Sequence, residues 1–386
     1  MRISEVKTFI VGTTWRNWVF VSVVTDEGLS GVGEATLEGK EKTVETAIHE
    51  LKRRHIIGSD PFNIEDLWQR MYRNEYWRGG AVIMTAISAV EMACWDIVGK
   101  AVGQPVYRLL GGLCRDRVKA YANGWYIGAR TPENFARQAR LVVEKGYQAL
   151  KFDPFGFADR QISKKEKAKS IEIVAAVREG VGDDVEIFIE GHGRFDPATA
   201  IEIARSLEEF SPGWFEEPVP PENADALAKV AAQIRIPVAA GERLFTRWGV
   251  RDVLEKQAVA VLQPDLVHAG GILETKRIAG IADVYYVPIA PHNPMGPVAT
   301  AATVQLDACT TNFLIQESFD EFDAPWRNQV AIGAPLIEGG YYVVPDRPGW
   351  GMELNEDAIS EHPYLPDAFF NMWAEGWQDS FMPHQQ

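Results

Sequence analysis

Six hydrophobic runs from the middle of the chain onward each end in one acid or one histidine, at nearly constant intervals. The terminal residues are Glu190, Glu216, Glu242, Asp265, His292 and Glu317, separated by 26, 26, 23, 27 and 25 residues. A step of that length holds one short strand, one helix and the loops between them. With the earlier runs VKAYAN and YQALKF, eight candidate strands alternate with amphipathic helices. Such alternation gives parallel strands joined by crossover helices. Eight such units predict an α/β chain closed into a barrel, with the six polar groups together on its C-terminal rim.

The chain has 386 residues, which suits a barrel with an added domain. VFVSVVTDEGLSGVGEA reads as two antiparallel strands around Asp26-Glu27-Gly28, followed by three helical patterns up to a break at Gly111-Gly112. The expected division is 1–113 as an N-terminal α+β domain, 114–335 as the barrel, and 336–386 as a tail packing back on the N-terminal domain. A net charge of −15 argues against nucleic acid and anionic membrane as partners. Cys94, Cys114 and Cys309 are widely spaced, and MRISEVKTFIVG lacks the features of a signal peptide. A cytoplasmic location is therefore expected. The apolar stretch AVIMTAISAVEMACWDIVGKAV carries Glu91 and Asp96 and reads as a buried helix.

Three carboxylates at adjacent strand ends repel one another unless a cation neutralises them. An all-oxygen set of Glu190, Glu216 and Glu242 selects Mg²⁺, then Mn²⁺, over zinc. In FEEP, alternation lets one glutamate face inward, and the equal spacing favours Glu216, leaving Glu217 as an ion-pair partner. Asp265 beside His292 would orient the imidazole and raise its basicity, as a general base requires. His268 is the weaker candidate. Glu190 and His192, two apart, should share a face, as should Lys151 and Asp153, for which an ion pair is expected. Arg194 either binds substrate or pairs with Glu217.

ALKFDP, FIEGHGRFD, WFEEP, AAGER, LQPDLVHAGG and APHNPMGP, with GVGEA and AISAVEMACWDIVGK upstream, resemble the enolase superfamily, mandelate racemase subgroup. Within it the chain looks most like the sugar-acid dehydratases acting on gluconate or galactonate. The resemblance implies a modified TIM barrel, (β/α)7β, under an N-terminal α+β capping domain, with metal held by Glu190, Glu216 and Glu242. It implies removal of the proton α to a carboxylate, an ene-diolate intermediate, and loss of the 3-hydroxyl to give a 2-keto-3-deoxy sugar acid. His292 with Asp265 would be the base and His192 the leaving-group acid. Glu317, protonated, would hydrogen-bond the substrate carboxylate. Racemases of the subgroup carry a second lysine where Asp153 stands, so its absence favours dehydration. Lys151 and Asp153 would either touch substrate or support the metal site. Trp15 and Arg16, in a loop between the first two strands, would close over the substrate, although Trp15 could equally be interface packing. The partners implied are a small sugar acid and further copies of the chain, from dimer to octamer. Aldarate dehydration, epimerisation, and non-catalytic binding of metal and sugar acid are the competing readings.

Overall fold

The computed structural model describes residues 1–369 and 371–377. Strands Ile3–Gly12, Asn17–Thr25 and Ser30–Glu34 form an antiparallel sheet. The helix Ala81–Val102 lies against it. A Cβ on Gly33 would stand 1.9 Å from the Ala89 carbonyl oxygen, so the glycines of GVGEA are what let the helix approach the sheet. Val19, Val21, Val23, Ile87 and Val90 are buried between them, each worth about 1.5–3 kcal/mol of burial. The helix is long and apolar enough to cross a membrane, yet 78% of its most apolar window is buried inside the protein.

Strands Arg117–Ala122, Ala149–Phe152, Glu186–Glu190, Trp214–Glu216, Val238–Ala240 and Val261–Leu262 pair in parallel and in chain order. The seventh position is reduced to Ile289, which bridges Leu262 on one side and Phe313 on the other. Pro288 and Pro291 flank it and offer no N–H to a ladder. The strand Gln316–Ser318 then returns beside the first and closes the barrel. All eight hydrophobic runs thus find their place. Glu190 and Glu216 end their strands, Glu317 sits within its own, and Glu242, Asp265 and His292 lie on the loops just beyond.

The first part of the tail departs from expectation, and the part after it packs on the N-terminal domain as expected. Its hairpin, Ile337–Glu338 with Tyr341–Val343, pairs with Arg117–Lys119 of the first barrel strand and not with the N-terminal sheet. The closing strand covers only Ala120–Ala122, and the hairpin takes the edge left open below it. The chain reaches the N-terminal layer only afterwards. The Trp350 amide donates to Asp96 at 2.9 Å, and its indole donates to the Val32 carbonyl at 2.8 Å. Residue 370 and residues 378–386 of the tail lie outside the described residues.

Candidate active site

Glu190, Glu216 and Glu242 each offer one carboxylate oxygen, all within 4.8 Å of one another. Neighbouring parallel strands bring them together, with Glu190 and Glu216 directly in register. The Lys151 ammonium lies 3.1 Å from Glu190, 2.5 Å from Glu216 and 2.9 Å from Glu317. Burial works against its charge, but Glu216 and Glu317 outweigh burial and keep it protonated. One lysine does not balance the cluster: burial and the nearby Glu190 push the Glu216 pKa up. The Trp214 indole and the Gln263 amide donate to Glu216 Oε2 at 2.9 and 2.6 Å, leaving Oε1 toward the cluster. A compact, oxygen-only, charge-deficient set of this kind fits a hard divalent cation. Glu217 is also buried, but its backbone turns to φ 36° and its carboxylate pairs with Arg243.

Two histidines flank the triad, each fixed through Nδ1 by an aspartate. His292 Nδ1 meets Asp265 at 2.7 Å, and its Nε2 stands 3.3 Å from Glu242. His192 Nδ1 meets Asp153 at 2.8 Å, while its backbone N–H donates to Glu190 at 2.6 Å. Burial disfavours both imidazolium forms. Glu242, Glu317 and Asp265 nevertheless hold the His292 pKa well above its usual value, and Glu190 with Asp153 raises that of His192. The strand ends at Glu190, and His192 adopts a left-handed backbone with φ 50°. A turn, not strand alternation, therefore carries His192 to the site.

Three expectations are corrected. Lys151 and Asp153 do not pair: Lys151 serves the glutamates, and Asp153 holds His192 and Arg194. Arg194 reaches neither the cavity nor Glu217. It is fully buried, donating to the Gly191 and Gly156 carbonyls and to Asp153. Arg16 is buried between Asp323 and Glu38 beneath Trp15, so only Trp15 of that loop faces the cavity. The Glu317 carboxyl is held below its usual pKa. Burial opposes this, but Lys151 and His292 outweigh it, and Asn123 and the Asn293 amide each donate to it at 2.8 Å.

Lys151, Glu190, His192, Glu242, His292, Glu317 and Trp15 all line one cavity of about 720 Å³. Asn123 and His268 line it too. Asn123 ends the run VKAYAN, so the strand-end rule that singled out the rim acids would also have found it. His268 Nδ1 lies 2.7 Å from Thr85 Oγ1, and its Nε2 is 3.9 Å from Asp265.

A barrel rim with a triad of metal-competent glutamates between two His–Asp pairs has the make-up of an enzyme active site. The family model described as "Mandelate racemase / muconate lactonizing enzyme, N-terminal domain" matches residues 5–111, and "Enolase C-terminal domain-like" matches residues 134–358. The chain belongs to the mandelate racemase/muconate lactonizing enzyme family of the enolase superfamily and is an enzyme of that family. It is 38% identical to the D-galactonate dehydratase of Pectobacterium atrosepticum over 375 residues, covering 94% of each chain. It is 40% identical to that of Ralstonia nicotianae over 363 residues, covering 90% of this chain and 92% of the relative. Among solved structures, a mandelate racemase/muconate lactonizing enzyme from Sulfitobacter sp. superposes with a TM-score of 0.90 at 34% identity, covering 95% of this chain and 96% of the other.

Proposed function

We propose that the protein is a Mg²⁺-dependent dehydratase of an aldonic acid of the galactonate or gluconate type. The observation that carries this reading is the placement of two aspartate-oriented imidazoles at opposite ends of one glutamate triad, inside one cavity. Dehydration needs a base at C2 and an acid at the 3-hydroxyl, and a single histidine would have to serve in turn. The D-galactonate dehydratase relatives favour elimination over other fates of the same intermediate.

In this reading His292, with Asp265 on Nδ1, takes the C2 proton through Nε2. Glu190, Glu216 and Glu242 would hold the cation. When bound, the cation would withdraw charge from the substrate carboxylate and neutralise Glu242, one of the acids that now keep a proton on His292. His192, kept protonated by Glu190 and Asp153, gives its proton to the departing 3-hydroxyl. The C–O bond breaks as the ene-diolate electrons form the C2–C3 double bond, and the resulting enol ketonises to a 2-keto-3-deoxy acid. Glu317, tied to Lys151, Asn123 and Asn293, fixes the lysine beside the triad.

The test is a keto-acid assay over aldonic and aldaric acids with Mg²⁺, run in heavy water. Keto-acid formation from an aldonate, abolished in His292→Asn, is the expected result. Recovered substrate deuterated and inverted at C2, without keto acid, would establish epimerisation in its place.

A further inference from the structure

Among the described residues, six barrel helices are eight residues or longer, and four of them start on a side-chain cap from their own segment. Thr131, Ser163, Asp196 and Asn223 each accept an N–H of the first turn that follows. The other two, Ile272–Val284 and Pro297–Ala308, start on Gly271 and Gly296, which carry no such side chain. Their first N–H groups are met from the N-terminal layer instead. Glu34, the last residue of its strand, accepts from the Gly296 and Ala299 amides at 2.6 and 2.9 Å. Glu91, on the helix Ala81–Val102, accepts from the Ile272 and Leu273 amides at 2.9 and 3.0 Å. Both glutamates are buried. A Cβ would lie 2.8 Å from the Glu34 carboxylate at Gly296 and 2.0 Å from the Glu91 carboxylate at Gly271. At both cap positions an incoming carboxylate occupies the space of a side chain, and at Gly271 a backbone φ of 90° favours glycine as well.

Pro297–Ala308 follows the loop that carries His292, and Ile272–Val284 follows Asp265 after one short helix, Leu266–Ala269. The 2.7 Å contact between those residues depends on two loops meeting at a fixed separation. Each loop is pinned at its far end by one glutamate. The first is fastened further by Ser88 Oγ, which accepts from the Gly270 amide at 3.0 Å, and by the Trp68 indole, which donates to the Gly270 carbonyl at 2.8 Å. A cap from the helix's own segment would travel with its loop. A cap from another layer ties the loop to an external frame.

We infer that Glu34 and Glu91 are positioning residues for proton abstraction, holding the Asp265 and His292 loops in mutual register from outside the barrel. This rests on the reading of His292 as the proton acceptor. The test compares Glu34→Gln and Glu91→Gln with Asp96→Asn. Asp96 is an equally buried carboxylate of the same layer, but its bonds go to Val32, Trp350 and Lys100. In ¹⁵N-histidine-labelled protein, the Nδ1–H signal of His292, assigned by its loss in His292→Asn, reports the contact without turnover. It is expected to vanish or exchange at least about tenfold faster in both glutamine variants and to persist in Asp96→Asn. On an aldonate substrate, kcat should fall on the order of 10²-fold with KM nearly unchanged, as for a misplaced reacting group. An unchanged ring signal in both variants, with kcat no lower than in Asp96→Asn, overturns the inference. If Glu34→Gln does not fold, Gly296→Ala, which puts a methyl group against the same carboxylate, is read by the same criteria. A wild-type protein that turns over no aldonate defeats the proposed function alone, because the ring signal still decides the positioning role.

Discussion

At the scale of single residues, the two His–Asp pairs make separable predictions. Asp153→Asn removes the carboxylate that orients and charges His192 while leaving His292 intact. Dehydration should drop by roughly 10²–10⁴-fold, the usual worth of a positioned acid. Exchange of the C2 proton with solvent, followed by proton NMR of recovered substrate in heavy water, should survive. His292→Asn should remove both. Loss of exchange in Asp153→Asn would mean that the two histidines do not divide the work. Arg194 bears on stability. It opposes burial and holds the Asp153 carboxyl below its usual pKa. A depressed folded pKa contributes stability that is present above the unfolded value, about 3.9, and lost as pH falls toward the folded one. Arg194→Met strands a buried carboxylate, at a cost of about 3–5 kcal/mol. That deficit in denaturant titrations should be full at neutral pH and shrink as pH falls through the Asp153 pKa of the variant, which burial raises once Arg194 is gone. The acids of the rim were legible because each ends a hydrophobic run. The role of Asp153 was not. Alternation pairs it with Lys151, whereas its partner His192 arrives through a left-handed turn that no side-chain period announces.

At the scale of elements, legibility followed locality. Thr131 with Pro132 marks a helix start within four residues of sequence, and the structure has the helix Pro132–Glu144 there. The glutamates that start the helices after Gly271 and Gly296 stand 181 and 262 residues away, so nothing local to either glycine identifies its partner. The edge on which the tail hairpin docks was not legible, because it exists only where the closing strand stops short. The same geometry makes the hairpin a structural part of the barrel. Tyr342 is fully buried, and its hydroxyl donates to Ser318 of the closing strand at 2.8 Å. Gly340 has φ 78°, and a Cβ there would lie 2.8 Å from the Gly146 carbonyl oxygen. Tyr342→Ala should cost about 3–5 kcal/mol of stability, as other large aromatic-to-alanine changes do. Gly340→Ala should cost more than about 1 kcal/mol through backbone strain and that contact. Chemical denaturation measures both, and a neutral Tyr342→Ala would show the hairpin to be dispensable.

At the scale of the whole molecule, the site concentrates negative charge where the fold brings its strands together. Glu190, Glu216, Glu242 and Glu317 share Lys151 and the imidazoles of His192 and His292, whose pKa values they raise, and burial raises Glu216 further. Their mutual repulsion acts across neighbouring barrel strands and therefore on the closed barrel itself. A divalent cation that binds the folded site and not the unfolded chain stabilises by mass action, by about 2.7 kcal/mol at a hundred times its Kd. Mg²⁺ added to EDTA-treated protein should therefore raise Tm by a few degrees, saturably, without substrate. Glu216→Gln removes one anionic ligand and relieves the repulsion that the cation would otherwise quench. Two opposite effects should follow in that variant: a metal-free Tm at or above that of the wild type, and a much smaller rise with Mg²⁺. Differential scanning calorimetry with and without the ion reads both. A wild-type Tm indifferent to Mg²⁺ and EDTA would mean that Lys151, His192 and His292 satisfy the cluster without a metal, and the metal-dependent reading of the rim would fall with it.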